Sequence, residues 1–600
     1  MTYIRKKKSI FVRSVWVMLA LFFALLTIVF SVGLSIASDN AAPINKTLGA
    51  ESSIRVQVGG GSGEVVDHYP SAFIERYADG SPIYQVDEYG NKTTIMDDEP
   101  MRANSQKVAE QVAVEGTVLL WNDNDTLPLA EGSKVSLFGI ASAKGKYALS
   151  GYGSGKVDAI PTDGSLAAAL EKKGFAVNKT LDEKYESLTD SSVFDGDFNY
   201  GLHQGSWNGD RNFMPVYCVN EVPWSVIGQT ASETVNGDTA VMVVSRRAGE
   251  DSDIIDNVEN NETDVDGGMN HLELTTEEAE VLSELAALKS GGKISHIVLL
   301  LNTANPLQFK EITKEEYGID ACVWTGIGGT EALVQVADVL SGKGDYVMSG
   351  HAPDALLMYN HATPADANYG DFTWTNGVDD VMERLKDLPY IESEFAVKYQ
   401  THNTKYVVYQ EGIYVGYRYF ETRYEDYVLG VNGADSSVGS FTGSGWKYSD
   451  HVAFPFGYGL SYTTFEYGKP AFSYDEKTGT YTVTMNITNA GDKYVGKEVL
   501  QVYLQKPYTD YDRDVSHPVE KSAVELVGFA KTDVLAPGQS QEISVTVDEE
   551  TFRTYDSYGQ RTYILEKGDY YLSVGTDAHD ALNNILAAKG YSPESTDGRM

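Results

Sequence analysis

The chain has 600 residues, and at roughly 100–200 residues per domain we expect about two to four folding units. Hydrophobic residues make up 42% and charged residues 22% of it, which excludes a largely disordered chain and a coiled coil. The 86 acidic residues outnumber the 47 basic residues and give a formal net charge of −39. Because this charge repels phosphate groups, we expect no nucleic acid partner.

The first 37 residues have the pattern of a membrane segment. Five basic residues within the first 13 precede an uncharged stretch at 15–37, which is long enough to cross a bilayer as a helix. We therefore predict a cytoplasmic flank and an uncleaved transmembrane signal anchor over residues 1–37. The bulk of the chain would then be extracellular, on a single-pass protein of the cell membrane. The alternative is a cleaved signal peptide, because Ser35 and Ala37 put small residues at the cleavage positions.

Residues 38–105 are rich in Gly, Ser and Asp and have no sustained apolar period. This composition is typical of a linker or stalk with a few short strands.

Strands and helices alternate over residues 106–465. Strands are predicted at 135–140, 239–245, 294–301 and 321–324, and helices at 165–173, after a capping box at Thr275 and Glu278, and at 331–340. The strand at 294–301 is apolar almost throughout, as in a parallel sheet that is buried on both faces. We predict an α/β open-sheet sandwich domain with helices on both faces.

The apolar period changes to two after residue 465. Residues 481–488, 541–547 and 570–574 alternate between apolar and polar side chains, and turn signals such as 489–492 separate them. Several short alternating strands predict a small all-β sandwich over residues 470–588.

The sequence contains neither a metal motif nor a cofactor motif. Its two cysteines, Cys218 and Cys322, are too few for a disulfide framework or a cysteine-rich zinc site. Whether the two thiols form one bridge or stay separate is left open. The glycine-rich residues 151–156 lack the spacing of a P-loop and of a dinucleotide fingerprint. We expect no cofactor and no metal.

Acidic residues follow the second predicted strand, at the edge where open α/β sheets hold their sites. Asp251 and Asp253 lie next to Glu250, and their negative charge raises the proton affinity that a general acid needs. Arg246 and Arg247 oppose this effect. Glu250 is therefore the candidate catalytic general acid/base, and the alternative is a solvated acidic turn.

Six segments carry distinctive motifs. They are EGTVLLWN (115–122) with LPL (127–129), SGYGSG (150–155), SR (245–246) with GE (249–250), LLN (300–302) with NP (305–306), YQEGIYVGYRY (409–419) and FPFGYGLSYT (454–463). In this order they resemble the EGxVLLKN…LPL, GGGSG, SR…GEG, LNxGNP, EGIYVGYRYY and FPFGYGLSYT motifs of glycoside hydrolase family 3. The alternating segment, with LVGF (526–529) and LAPG (535–538), resembles the fibronectin type III-like domain of that family. The resemblance covers residues 106–588.

The resemblance implies retaining hydrolysis of β-linked sugars, typically glucosides or xylosides, by two carboxyl groups about 5 Å apart. In the family a separate TIM-barrel domain supplies an Asp nucleophile in a Ser-Asp-Trp-like motif, and the sandwich domain supplies the acid/base Glu. Glu250 matches the acid/base position, although Asp251 replaces the usual Gly. The nucleophile motif is not found, since Ser449-Asp450 is followed by His451 in the wrong domain.

The barrel itself is missing from the chain. Only about 70 residues lie between the predicted anchor and residue 106, whereas a barrel needs roughly 250. Some family members carry the sandwich and fibronectin-like domains before the barrel. We therefore expect the front part of such a β-glucosidase, whose barrel acts in cis or in trans on an oligosaccharide or β-glycoside substrate. Residues 589–600 would be a tail or the start of a linker.

Without a nucleophile, the chain alone is expected to be inactive. The alternative function is that of a non-catalytic, membrane-tethered carbohydrate-binding or scaffold protein.

Overall fold

The computed structural model of the protein describes most of the chain beyond residue 98. The described residues are 15–19, 22–23, 56–57, 65–66, 84–86, 92–94, 99–151, 164–189, 201–205, 216–248, 271–360, 362–365, 409, 411–431, 446–514, 516 and 518–591. The chain divides into two units, residues 1–105 and 106–600.

The first unit contains two short antiparallel hairpins, which agrees with the few short strands expected there. Strand β1 (Val56–Gln57) pairs with β2 (Val65–Val66), and β3 (Tyr84–Val86) pairs with β4 (Lys92–Thr94). Within the predicted membrane segment the described residues, 15–19 and 22–23, are helical. Across all described residues no helix has both the length and the apolar character needed to cross a membrane. Most of the predicted anchor lies outside the described residues.

Strands and helices alternate over most of the second unit, as predicted. The strands are β5 (Val118–Asn122), β6 (Lys134–Phe138), β7 (Ala176–Val177), β8 (Gly201–Gly205), β9 (Val216–Asn220), β10 (Asp238–Arg246), β11 (Ile294–Thr303), β12 (Ala321–Trp324), β13 (Leu356–Leu357) and β14 (Val452–Phe454). The helices are α1 (Glu99–Gly116), α2 (Leu166–Lys172), α3 (Lys179–Leu188), α4 (Trp224–Thr234), α5 (Thr276–Ser290), α6 (Phe309–Ile312), α7 (Ala332–Ser341) and α8 (Tyr417–Leu429). Helix α1 begins inside the segment that was predicted to be a linker.

The central sheet has six strands in the order β5-β12-β11-β10-β6-β7. All neighbours are parallel except the edge strand β5, which runs antiparallel to β12. Every residue of β10 is buried, and its side chains alternate between two cores. Met242 packs in the core that contains α3, α4 and α5, and Val243 packs in the core that contains α2 and α7. The predicted open sheet with helices on both faces is therefore confirmed.

Two local signals position the ends of these elements. Thr275 and Glu278 form the predicted capping box at the start of α5, because each side chain accepts the other residue's backbone N–H, at 3.1 and 2.9 Å. Gly139 ends β6 earlier than predicted. It has a φ of 84°, and a side chain there would collide with the carbonyl oxygen of Val243. Glycine is therefore required where the chain leaves the sheet.

The C-terminal part contains the predicted β-sandwich. One sheet is formed by β15 (Phe465–Tyr467), β16 (Ala471–Asp475), β17 (Thr480–Asn489) and β20 (Ser540–Asp548), and the other by β18 (Val499–Gln505), β19 (Glu525–Lys531) and β23 (Tyr571–Gly575). Strands β21 (Thr554–Asp556) and β22 (Thr562–Ile564) form a separate hairpin. Alternate residues such as Val483, Leu500 and Val545 fill the core between the sheets.

A helix that the sequence analysis did not predict, α9 (Ala578–Ala588), follows the last strand. Asp577 accepts the backbone N–H of Asp580 and caps the helix. Leu582 and Ile585 pack with Tyr424 of α8 in a core separate from that of the sandwich. The part of the chain predicted to be all-β therefore ends in a helix.

Candidate functional site

The carboxyl ends of β10, β11 and β12 meet at one edge of the sheet, as expected for parallel strands. Ser245 donates its hydroxyl hydrogen towards the Oδ1 (2.8 Å) and backbone oxygen (3.0 Å) of Asn302. The Asn302 amide donates to the backbone oxygens of Ala148 at 3.0 Å and Gly326 at 2.8 Å. One buried asparagine thus joins the ends of β10 and β11, each of which carries a predicted motif, to the loop after β6 and to the loop after β12.

Arg246, the last residue of β10, is completely buried and uses all five of its N–H donors. Its Nη1 and Nη2 donate to the two carboxylate oxygens of Glu278, at 2.8 and 2.6 Å. The remaining donors reach the backbone oxygens of Ser245, His271 and Glu273 at 2.6–2.9 Å. A bidentate arginine–carboxylate pair of this kind is both strong and geometrically specific.

These contacts join the two sides of the segment that carries the candidate acid. Arg246 precedes residues 249–270, whereas His271 and Glu273 follow them. Glu250, Asp251 and Asp253 lie within 249–270, outside the described residues, so their contacts are not described. Arg246 therefore links the described residues before this segment to those after it.

The charge at this edge differs from the expectation in one respect. Arg246 was expected to act on Glu250, but the positive charge of Arg246 is balanced by Glu278 inside the domain. Burial lowers the pKa of Lys146, and the nearby Arg247 lowers it further. Burial also lowers the pKa of His271 to about 3, helped by the positive charge of Arg246, so this imidazole is neutral at neutral pH. Lys146 and Arg247 therefore lie close enough for their positive charges to interact.

Glu221 is a buried acid that no sequence motif indicates. Its carboxylate accepts the backbone N–H of Ile140, at 2.9 and 3.0 Å, and of Val222, at 2.7 Å. Burial, with a smaller contribution from Glu278, raises its pKa to about 8. Because the carboxylate is 3% exposed and bonded to backbone, it supports the turn after β6 and is not open to a substrate.

Other motif residues hold the domains together. Tyr458 donates its hydroxyl hydrogen to the backbone oxygen of Leu120 at 3.0 Å, and Tyr462 donates to that of Val339 at 2.7 Å. Both tyrosines belong to the 454–463 motif, which therefore attaches the connector between the two domains to strand β5 and helix α7 of the α/β domain. Cys322, in β12, is a buried free thiol.

Comparison with known proteins identifies both folded parts. The glycosyl hydrolase family 3 C-terminal domain matches residues 117–417, and a fibronectin type III-like domain matches residues 498–578. The chain is 27% identical to a beta-glucosidase of Ruminococcus albus over 479 residues, and 27% identical to beta-glucosidase A of Butyrivibrio fibrisolvens over 510 residues. These alignments each cover 79% of the chain, but 39% and 50% of the respective relatives.

Solved structures give the same result. A beta-glucosidase from Paenibacillus barengoltzii has a TM-score of 0.56 and 27% identity, and the match covers 79% of this chain and 42% of that one. Beta-glucosidase 3B from Thermotoga neapolitana, solved in complex with glucose, has a TM-score of 0.55 and 26% identity, covering 81% and 54%. The chain thus spans about half, or less, of the length of these relatives. Since the domain match extends over half of its residues, the chain belongs to glycoside hydrolase family 3.

Proposed function

We propose that the chain supplies the acid/base part of a retaining β-glycosidase site, with Glu250 as the general acid/base. The observation that carries this proposal is the match of residues 117–417 to the family's C-terminal domain, in relatives that are beta-glucosidases. The buried contacts of Arg246 support it, because they hold both sides of the segment that contains Glu250. The substrate class is a terminal β-linked sugar of the glucoside type.

Each residue has a distinct task in this proposal. Glu250 protonates the oxygen of the departing sugar in the first step and deprotonates water in the second. The nucleophile is an Asp on a TIM barrel, in cis or in trans, which attacks the anomeric carbon and forms the glycosyl-enzyme. Arg246 and Asn302 do not touch the substrate. They are positioning residues that fix the edge of the sheet from which Glu250 is presented.

A direct test is to assay the purified full chain on a panel of aryl β-glycosides, with and without a separately produced barrel domain of a family relative. We expect no hydrolysis by the chain alone, because a double displacement needs a nucleophile. Hydrolysis should appear when the barrel is added and should disappear when the barrel's nucleophile is replaced. Robust hydrolysis by the chain alone would refute the proposed division of the site. Sugar binding without hydrolysis in either mixture would favour the non-catalytic alternative.

We also propose that residues 15–37 anchor the protein in the cell membrane with its bulk outside the cell. The basic flank and the length of the apolar stretch support this arrangement. N-terminal sequencing of the native protein tests it. Chains that retain residues 1–37 are expected, and mature chains beginning near Ser38 would refute the anchor.

A further inference from the structure

A cleft lies between the α/β domain and the β-sandwich, apart from the sheet edge described above. It has a volume of about 630 Å³, within the range of roughly 300–1,000 Å³ usual for small-molecule sites. Asn122, which contributes to its wall, pairs with Ala321, the first residue of β12. The carboxyl end of β12, at Trp324, belongs to the opposite edge of the sheet. The cleft therefore borders the edge opposite to the candidate acid/base segment.

The cleft wall contains the carboxylate of Asp577, and only one of its two oxygens accepts a hydrogen bond from another described residue. Asp577 accepts the backbone N–H of Asp580 through Oδ1 at 2.8 Å. Its Oδ2 has no hydrogen-bond partner among the described residues, although the side chain lines the cleft. Burial raises the pKa of this carboxyl to about 6, so it is mostly ionised at neutral pH. This oxygen belongs to a partly exposed side chain at the cleft wall, so it can accept a hydrogen bond from a ligand that donates one.

The other groups in the cleft have the chemistry that recognises a sugar. Glu498 adds a second carboxylate, which lies 3.4 Å from Nε2 of His351. Nδ1 of that histidine donates to the backbone oxygen of Gly457 at 2.6 Å, which fixes the ring. Tyr462 and Tyr494 contribute aromatic surface, with ring centroids 6.2 Å apart. Carboxylates accept hydrogen bonds from hydroxyl groups, and aromatic rings provide an apolar surface with a polar hydroxyl at its edge.

The charge of the cleft selects against anionic ligands. Its wall contains Asp125, Asp492, Glu498 and Asp577, whereas Lys493 is its one Lys or Arg among the described residues. The Lys493 ammonium lies 4.5 Å from the ring centroid of Tyr494, so it sits over an aromatic face. Phosphates and carboxylates would be repelled by the four acids. A neutral ligand rich in hydroxyl groups can donate hydrogen bonds to the carboxylates and carries no negative charge for the acids to repel.

We propose that this cleft is a binding site for a neutral sugar, separate from the site that contains Glu250. Asp577 and Glu498 accept hydrogen bonds from its hydroxyl groups, and Tyr494 contacts its ring. Binding at this site involves no catalytic step, so the proposed sugar site does not depend on the proposed glycosidase function.

The test measures hydrogen–deuterium exchange of the full chain with and without methyl β-D-glucoside. Protection is expected in residues 458–464, 491–494 and 576–577, which form part of the cleft wall. Asp577→Asn keeps the helix cap, because Asn is an equally good capping residue, but removes the charged acceptor. We expect this variant to bind at least about tenfold more weakly. Asp548→Asn, at an exposed position on β20, is the matched control and should bind like the wild type.

Two further variants test whether binding occurs in this cleft and not at the site that contains Glu250. Tyr494→Ala should also weaken binding, because it removes the aromatic ring from the cleft wall. The backbone oxygen at this position, which accepts a hydrogen bond from the Asn489 amide, is kept. Glu250→Gln should leave the protection of the cleft unchanged. The proposal is overturned if Asp577→Asn binds as well as the wild type or if no protection appears in the cleft. It is also overturned if Glu250→Gln abolishes the protection, or if D-glucosamine protects the cleft and the neutral glucoside does not.

Discussion

A single buried side chain, Arg246, connects three parts of the chain at the candidate site. Its donors reach the end of β10, the returning segment at His271 and Glu273, and the first turn of α5 at Glu278. Sequence reasoning identified Arg246 only as a charge near Glu250. It could not assign the ion pair, because Glu278 is 32 residues away and the pairing depends on how α5 packs on the sheet.

Glu278→Gln tests the importance of this buried ion pair. Gln preserves the capping box with Thr275 but leaves the Arg246 charge without a counter-ion. We expect a loss of about 3–5 kcal/mol in the free energy of unfolding, as for other broken buried pairs. Glu277→Gln, one position earlier on the same helical turn, removes an equal charge that has no ion pair among the described residues. Chemical denaturation of both variants checks the difference, and equal stabilities would contradict it.

Glu221 gives a prediction about pH. Its pKa is about 8 in the folded protein and close to 4.5 when unfolded, so between these values the folded state holds a proton that the unfolded state has released. The contribution of Glu221 to the free energy of unfolding is therefore fully present below about pH 4.5. It is lost as the pH rises towards 8, by up to about 1.4 kcal/mol per pH unit.

Glu221→Gln removes this titration. The thermal midpoint of the variant should lie furthest below that of the wild type near pH 5, and the gap should narrow as the pH rises to 8. Measuring both proteins across this range tests the prediction. A gap that stays constant or widens would show that Glu221 is ionised in the folded protein.

At the scale of elements, the features that were predicted are those specified by residues close together in sequence. Contacts between residues distant in sequence were not predicted. The capping box of α5, the buried strand β11 and the alternating strands β17 and β20 were predicted because their signals lie within a few residues. Helix α9 also has a local signal, with apolar residues at helical spacing after the cap at Asp577, but the preceding alternation obscured it. The contact between Ser245 and Asn302 was not predictable, since it depends on the register in which β10 pairs with β11.

An ion pair between elements distant in sequence links the two folded domains. Glu115, in the last turn of α1, contacts Lys497 at 2.8 Å and Lys531 at 3.5 Å. Burial raises the pKa of Glu115, but hydrogen bonds from Lys497 and Gln111 outweigh this effect and the net pKa is lowered. The contacts of Glu115 with both lysines therefore depend on the ionised form of its carboxyl group.

Glu115→Gln should destabilise the protein by about 1–3 kcal/mol, because two largely buried lysines lose their counter-ion. Glu131→Gln breaks a comparable contact with Lys343 that is exposed on both sides, and it should have no measurable effect. Thermal unfolding of the two variants makes the comparison. Equal midpoints would mean that the Glu115 cluster does not stabilise the junction between the domains.

At the scale of the whole molecule, the chain combines an α/β sheet domain with a fibronectin type III-like domain, as the motifs implied. The resemblance was detectable because the motifs occur in the family's order, although overall identity to the aligned relatives is only 27%. The boundaries 106–465 and 470–588, the membrane anchor and the barrel partner stay predictions.

The role proposed for Glu250 is tested by measuring hydrolysis with the Glu250→Gln variant of an enzyme completed by a barrel. Gln keeps the shape of the side chain but cannot give a proton, and general acid catalysis contributes roughly 10²–10⁴-fold when the leaving group is poor. Oligosaccharide cleavage should therefore fall by about this factor, while the first step on a dinitrophenyl glycoside survives. Added azide should restore turnover by attacking the glycosyl-enzyme without base assistance. Oligosaccharide cleavage close to the wild-type rate would contradict the account and make Asp251 and Asp253 the next candidates.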